Sequence, residues 1–142
     1  MIKLKVGILG ATGYTGIELL KVLDSHPNVN IVFLGAHNVV GKTAINFVSN
    51  LKNFGNIKIK KNENIKNYEL DLIFSCLPHG ELAKNLKKFK IKKETTIIDL
   101  SADFRLPDKI HNKWYKKRPK LVDAKNFKYV LPEISKNVAK GN

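Results

Sequence analysis

The chain has 142 residues, 43% of them hydrophobic and 27% charged, with a mean hydropathy of -0.23. This length supports one domain with a proper core and is short for two, and no apolar run approaches the roughly 20 residues of a membrane span. The formal net charge of +14 invites a nucleic-acid reading, yet only Arg105 and Arg118 are arginine and the lysines are scattered rather than concentrated among aromatics, so neither nucleic acid nor a membrane is an expected partner.

Met1 to Lys5 leads straight into the first apolar run and leaves no room for a signal peptide, which makes a cytoplasmic location the expectation. Val6, Ile8 and Leu9 read as a short buried strand. A helical spacing follows, with Ile17 and Leu20, then Leu19 and Leu23, on adjoining parts of one face. Between strand and helix stands Gly10-Ala11-Thr12-Gly13-Tyr14-Thr15-Gly16, a G-x-x-G-x-x-G relative of the dinucleotide-binding G-x-G-x-x-G. Glycine takes up the positive φ that so tight a turn needs, and missing side chains let backbone N–H groups approach a phosphate at the positive end of the helix. These seven residues are therefore candidate cofactor ligands.

Ser25-His26-Pro27-Asn28 is a breaker cluster, and the proline ends the helix near Ser25. Asn30 to Leu34 reads as a second apolar strand, from which Gly35-Ala36-His37-Asn38 turns away. Gly41-Lys42 precedes a loosely helical or irregular stretch to about Leu51. Ile57 to Lys60 alternates with period two, like a strand with one wet face at or near a sheet edge, and Asn62 to Asn67 is a polar connection. Leu70 to Leu77 is the next buried strand; Pro78-His79-Gly80 stops it and starts a helix with Leu82, Leu86 and Phe89 on one face. Thr95 to Leu100 forms another strand, ending at Ser101-Ala102-Asp103-Phe104-Arg105. Residues 107–126 look irregular and lysine-rich, with Trp114 and Tyr115 as anchors, before a last apolar run, Tyr129-Val130-Leu131, meets Pro132-Glu133.

Strands alternating with helices predict an α/β fold, a doubly wound, mostly parallel sheet of the Rossmann type. Ligands of such sheets sit beyond the carboxyl ends of the strands. The polar stretches near residues 10–16, 35–42, 77–80 and 101–105 all occupy such ends and should converge on one crevice. An NAD enzyme usually places an acid at the end of the second strand. Here none occurs between Asp24 and Glu63, and the turn offers His37, Asn38 and Lys42 instead. An acid would repel a 2′-phosphate that a cation and neutral donors could hold, so NADP is the expected cofactor, with His37 and Lys42 among its ligands. No metal is expected. Cys76 is the single cysteine, which excludes an internal disulfide.

Gly10 to Leu20 resembles the opening of N-acetyl-gamma-glutamyl-phosphate reductase, an enzyme family of arginine biosynthesis. So do Leu77-Pro78-His79-Gly80, Ile98-Asp99-Leu100-Ser101-Ala102-Asp103-Phe104-Arg105-Leu106 and Leu131-Pro132-Glu133, in the same order. The resemblance covers nearly the whole chain. It implies an oxidoreductase that uses NADPH to reduce an acyl phosphate, N-acetyl-gamma-glutamyl phosphate, to a semialdehyde with release of phosphate. A cysteine thiolate and an acid–base histidine act in that family, as in the related aspartate-semialdehyde dehydrogenases. By resemblance, Gly10 to Gly16 holds the pyrophosphate, Leu77, Pro78, His79 and Gly80 lie beside the nicotinamide half, Ser101 borders the cofactor, and Arg105 matches a phosphate-binding arginine for the substrate. A guanidinium suits that task because it grips phosphate with two hydrogen bonds; the structural alternative is an ion pair with Asp103 or Asp99.

The departures are as informative. The family's catalytic cysteine lies in an Asn-Pro-Gly-Cys-Tyr string after Leu-Pro-Glu, and this chain reaches Asn142 about where that string should begin. The catalytic histidine and the sheet through which the family forms homo-oligomers belong to a second domain. The expectation is thus one NADP-binding domain over residues 1–142, with no catalytic residue of its own. Val130 stands where the family usually has glycine. Cys76 does not match the catalytic position, and an apolar setting would leave its thiol inert; it reads as core or pocket lining. His79 reads as a loop residue shaping the cofactor site. The alternatives are a sister acyl-phosphate reductase of lysine or aspartate-family biosynthesis, or a non-catalytic NADP-binding module. A short-chain dehydrogenase is disfavoured, because no Tyr-x-x-x-Lys pair occurs.

Overall fold

The computed structural model describes residues 2–115, 117 and 127–135. The rest of the stretch expected to be irregular, 116 and 118–126, lies outside the described residues. Five parallel strands form one sheet: β1 (Leu4–Leu9), β2 (Val29–Ala36), β3 (Ile59–Lys61), β4 (Leu72–Ser75) and β5 (Thr96–Asp99), in the spatial order β3-β2-β1-β4-β5. The chain winds outward from β1 through β2 to β3, then crosses to the far side of β1 for β4 and β5. The winding reverses between β1 and β4, and a parallel sheet binds ligands beyond such a reversal. This is the doubly wound α/β fold expected.

Both sheet faces are covered, which explains why the strands read as continuous apolar runs rather than clean alternation. On one face Val6 and Ile8 pack with Ile31, Leu34 and Ile59 beneath Leu20 and Leu23 of helix α1 (Tyr14–Asp24). On the other, Leu9, Phe33 and Ile73 pack with Leu82, Ala83 and Phe89 of helix α2 (Glu81–Phe89), and with Ile65. Each fully buried Val, Leu, Ile or Phe side chain among them contributes about 1.5–3 kcal/mol. Between Val6 and Gly7 the register against β2 shifts: Val6 faces Ile31, Gly7 faces Phe33, and Val32 is the extra residue of a bulge. The bulge lets β2 supply Ile31 and Leu34 to one core and Phe33 to the other.

Several boundaries differ from the expected ones. Strand β2 runs one residue earlier and two later, and β4 keeps only the middle of Leu70–Leu77. Leu70 is buried in the second core, ahead of the ladder, and Cys76 still donates its N–H to the Leu9 carbonyl at 2.9 Å. Strand β3 is outermost in the sheet as expected, but its free side is lined by residues 41–44, where Gly41 N–H donates to Ile59 O and Ile59 N–H to Lys42 O. Residues 62–67, expected as a polar connection, form a 3-10 helix. Asp108–Trp114 form helix α3 within the stretch expected to be irregular. Trp114 is not an anchor, being 71% exposed; a seven-residue helix turns one narrow face inward, and His111 and Tyr115, four apart, occupy it. The apolar run Tyr129-Val130-Leu131 belongs to none of the five strands, and Tyr129 and Leu131 are exposed.

Helix α1 stops at Asp24 with Ser25 as its cap, as the following proline dictates. Asp24 is buried, and its carboxylate accepts hydrogen bonds from the backbone N–H groups of Lys52 (2.7 Å), Asn53 (3.0 Å) and Phe54 (3.0 Å). Burial pushes this carboxyl up, but the three donors and the Lys52 charge outweigh it and hold the group below its ordinary 3.8. Its stabilising contribution is therefore complete above pH 3.8 and is lost as pH falls through the lower folded value. Asp24→Asn turns an amide NH2 toward one of these donors and should destabilise the domain by about 2 kcal/mol at neutral pH. The difference from wild type should shrink toward pH 3 in urea titrations, and a pH-independent difference would contradict a charged Asp24.

Candidate functional site

The carboxyl ends of all five strands lie on one edge, and the residues there are knitted together. Gly10 ends β1 with φ of +72°, and a Cβ at this position would stand 2.6 Å from the Cys76 carbonyl oxygen at the end of β4. A side chain on Gly16 would collide with the Gly10 carbonyl, so the loop and the first turn of α1 close tightly only because both positions lack one. Ala11 N–H donates to Gly35 O at 2.8 Å, joining the loop to the end of β2. Gly13 is the N-cap of α1; it supplies no side-chain hydrogen bond, and the first turn carries no acid. A Cβ on Gly13 would meet only the Gly10 oxygen, at an ordinary 3.5 Å. Bare helix-start N–H groups with an open approach and no negative neighbour fit a diphosphate. Thr12 is half-buried, while Tyr14 and Thr15 are exposed.

The second half of the edge is held by a carboxylate. Asp103, fully buried, accepts from Gly80 N–H at 2.5 Å and from Ala83 N–H at 3.0 Å, capping α2 from 20 residues downstream. Gly80, the N-cap, has φ of +89°. Ala102 N–H donates to Nδ1 of His79 at 3.0 Å, so the imidazole carries its proton on Nε2. Ser101 is buried; its hydroxyl donates to Asp99 at 2.7 Å and accepts from Asp103 N–H at 3.0 Å. Burial, aided by the Asp103 charge and opposed by the Ser101 hydrogen bonds, raises the Asp99 carboxyl. The Leu77-Pro78-His79-Gly80 loop and the Ser101–Arg105 loop thus form one unit, with Leu77 packed on the second core. Arg105 is exposed and lies over the Tyr129 ring at 5.6 Å. The ion pair with Asp99 or Asp103 considered from sequence is not formed, because both carboxylates are engaged by backbone and serine donors.

Two hollows flank this edge. One, of about 390 Å³, is lined by His37, Lys61 and Glu63 at the ends of β2 and β3. Lys42, expected beside His37, instead follows the outer side of β3 and does not line this hollow. The acid-free turn after β2 therefore does not keep acids away, because β3 delivers Glu63 together with Lys61. The other hollow, about 1520 Å³, follows the outer edge of β5 and is lined by Arg105, Leu131 and Pro132 among others. Sequence reasoning also missed Asn62, whose Oδ1 accepts from Gly10 N–H at 3.2 Å. Residue 62 directly follows the end of β3, two residues beyond the end expected from the sequence pattern.

Residues 5–141 match the family model of the semialdehyde dehydrogenase NAD-binding domain. The chain belongs to that family. The chain is similar to N-acetyl-gamma-glutamyl-phosphate reductase of Campylobacter jejuni (serotype O:23/36, strain 81-176), at 43% identity over 97% of its length and 40% of the relative's. It is 38% identical to the same enzyme of Clostridium novyi, over 92% of this chain and 39% of that one. The domain thus spans about two fifths of the curated relatives it matches. Among solved structures, aspartate semialdehyde dehydrogenase with NADP from Candida albicans superimposes with a TM-score of 0.60 at 25% identity, over 74% of this chain and 31% of that one. Among the described residues, no helix is long and apolar enough to cross a membrane.

Cys76 lies half-buried beside this site. Burial, with the Asp99 carboxylate nearby, pushes its thiol up to about 11 from an ordinary 9.0. At pH 8 the native thiol should react with a disulfide reagent about 100-fold more slowly than in the denatured chain. Equal rates in the two states would show a thiolate that burial does not suppress.

Proposed function

We propose that this chain is the NADP-binding domain of an N-acetyl-gamma-glutamyl-phosphate reductase, working in the NADPH-dependent reduction of the acyl phosphate to N-acetyl-glutamate semialdehyde with release of phosphate. The observation that carries this reading is the joining of Leu77–Gly80 to Ser101–Arg105 by Asp103 and His79. These two strings tie the sequence to the reductases, and they meet on the edge that carries the dinucleotide loop. The cofactor supplies the hydride when bound. The chain's own part is to hold the diphosphate at the start of α1, to shape the nicotinamide side with the Leu77–Gly80 loop, and to offer Arg105 to the substrate phosphate. Ser101 acts through the loop it braces, since both functions of its hydroxyl are spent internally.

The absence of any acid from Ser25 to Asn62 supports NADP over NAD, and in the hollow beside His37 the Lys61 charge offsets that of Glu63. The nucleophilic cysteine and the acid–base histidine would come from the part of the family that this chain does not span, along with the surface for homo-oligomers. The small-molecule substrate is the expected partner, in the cytoplasm.

Titration of the 142-residue chain with NADPH and NADH, followed by nicotinamide fluorescence, tests the cofactor. NADPH should bind at least ~10-fold more tightly, the worth of one good charged contact. Equal affinities, or tighter NADH, would overturn the NADP assignment. The chain incubated with N-acetyl-glutamate semialdehyde, phosphate and NADP should form no NADPH; measurable turnover would place the catalytic residues within residues 1–142.

A further inference from the structure

We propose that Asn62 is a cofactor-selecting residue, which braces the phosphate loop with its carbonyl oxygen and presents its NH2 group to the 2′-phosphate on the adenosine ribose. The inference rests on the dinucleotide site argued above and adds to it a residue from β3. Asn62 is the first residue after β3, and its half-buried side chain lies across the ends of two other strands. Gly10 N–H at the end of β1 donates to Oδ1 at 3.2 Å. At Gly35, near the end of β2, a Cβ would stand 2.5 Å from the same oxygen and 3.2 Å from the Asn62 Cα. The Gly35 carbonyl in turn receives the Ala11 N–H at 2.8 Å. Gly35 thus lacks a side chain where Asn62 needs the space.

This contact decides which end of the carboxamide is spent within the protein and which is left to donate. Oδ1 is engaged by the phosphate loop, and Nδ2, with two N–H donors, has no hydrogen-bond partner among the described residues. The neighbours Lys61 and Glu63 line the hollow of about 390 Å³ with His37. The formal charges of Lys61 and Glu63 cancel, so net charge at that hollow does not choose between a ribose hydroxyl and a ribose phosphate. A group that only donates does choose: phosphate oxygens accept from it with charge assistance, while a ribose hydroxyl gains no acceptor for its own proton. An acid at the same place would do the reverse, accepting from the hydroxyl and repelling the phosphate.

Asn62→Asp separates the two roles. The carboxylate keeps an acceptor for Gly10 N–H and nearly the same shape, but replaces both donors with negative charge. The carboxylate weakens both dinucleotides through their shared diphosphate, and for this variant the Kd for NADPH should rise at least ~10-fold more than that for NADH. Asn62→Ala removes brace and donors together and should weaken both nucleotides. Amide hydrogen exchange at Gly10 should stay slow in the aspartate variant and accelerate in the alanine variant. A wild-type measurement needs no variant to fold: the Asn62 side-chain NH2 resonances should shift on adding 2′,5′-ADP and stay in place with 5′-AMP. Equal losses for NADPH and NADH in Asn62→Asp, or NH2 resonances unmoved by 2′,5′-ADP, would overturn the role of Asn62. Failure of the wild-type chain to bind either dinucleotide would instead overturn the site itself.

Discussion

The structure depends on the close approach of two backbones at Gly10. Strand β1 ends there with positive φ, against the carbonyl of Cys76 at the end of β4, with no space for a Cβ between them. On its other sides the same residue meets the first turn of α1 through Gly16 and the end of β3 through Asn62. Parallel strands diverge at a winding reversal and leave a gap for a ligand. The width of that gap here is set by main-chain atoms rather than by side chains. A side chain at residue 10 would push β1 and β4 apart where their hydrogen bonds run out, so the glycine loop and the Leu77–Gly80 loop would lose their common reference point.

Two buried carboxylates with no chemistry to perform hold the loops around this junction. Asp24 gathers three consecutive backbone N–H groups at residues 52–54, and Asp103 gathers those of Gly80 and Ala83. Asp24 pins a bend and Asp103 caps a helix, each from a distance along the chain. Helix α2 starts from a glycine that has no side chain to cap it, and the acid arriving from the end of β5 takes over that task. The consequence for function is mechanical. The loop that resemblance places at the nicotinamide and the loop that carries Arg105 cannot move independently, because the cap of one is the body of the other.

The glycine loop, the winding and the strand-end candidates were legible because each rests on local spacing. Gly10, Gly13 and Gly16 stand at fixed intervals, Val6, Ile8 and Leu9 form an unbroken run, and Leu82, Leu86 and Phe89 mark one helical face. What stayed hidden depends on partners far along the chain. Asn62 looks like ordinary polar connection until its oxygen is found 52 residues away at Gly10. Glu63 marks the limit of the acid-free stretch in sequence, yet β3 carries it back to the hollow at His37. Trp114 misled for a different reason: a large aromatic normally anchors, but α3 is short and its inward face passes through His111 and Tyr115. The difference between Lys42 and Lys61 likewise came from the backbone, since residues 41–44 double back along β3.

Among the described residues, strand β5 has β4 on one side and no strand on the other, and Ile98 and Leu100 are 40% and 41% exposed. Its groove is bordered by Lys87, Lys90, Lys92, Lys93 and Lys128. An open edge with apolar flanks is a template for pairing with another strand, and clustered lysines are a recognised guard against it. The chain's large positive charge thus acquires a colloidal meaning that composition alone does not convey. Copies approaching edge to edge bring two lysine rims together, and their repulsion opposes strand pairing there. Such protection is long-ranged in dilute buffer and contracts to about 8 Å at physiological ionic strength.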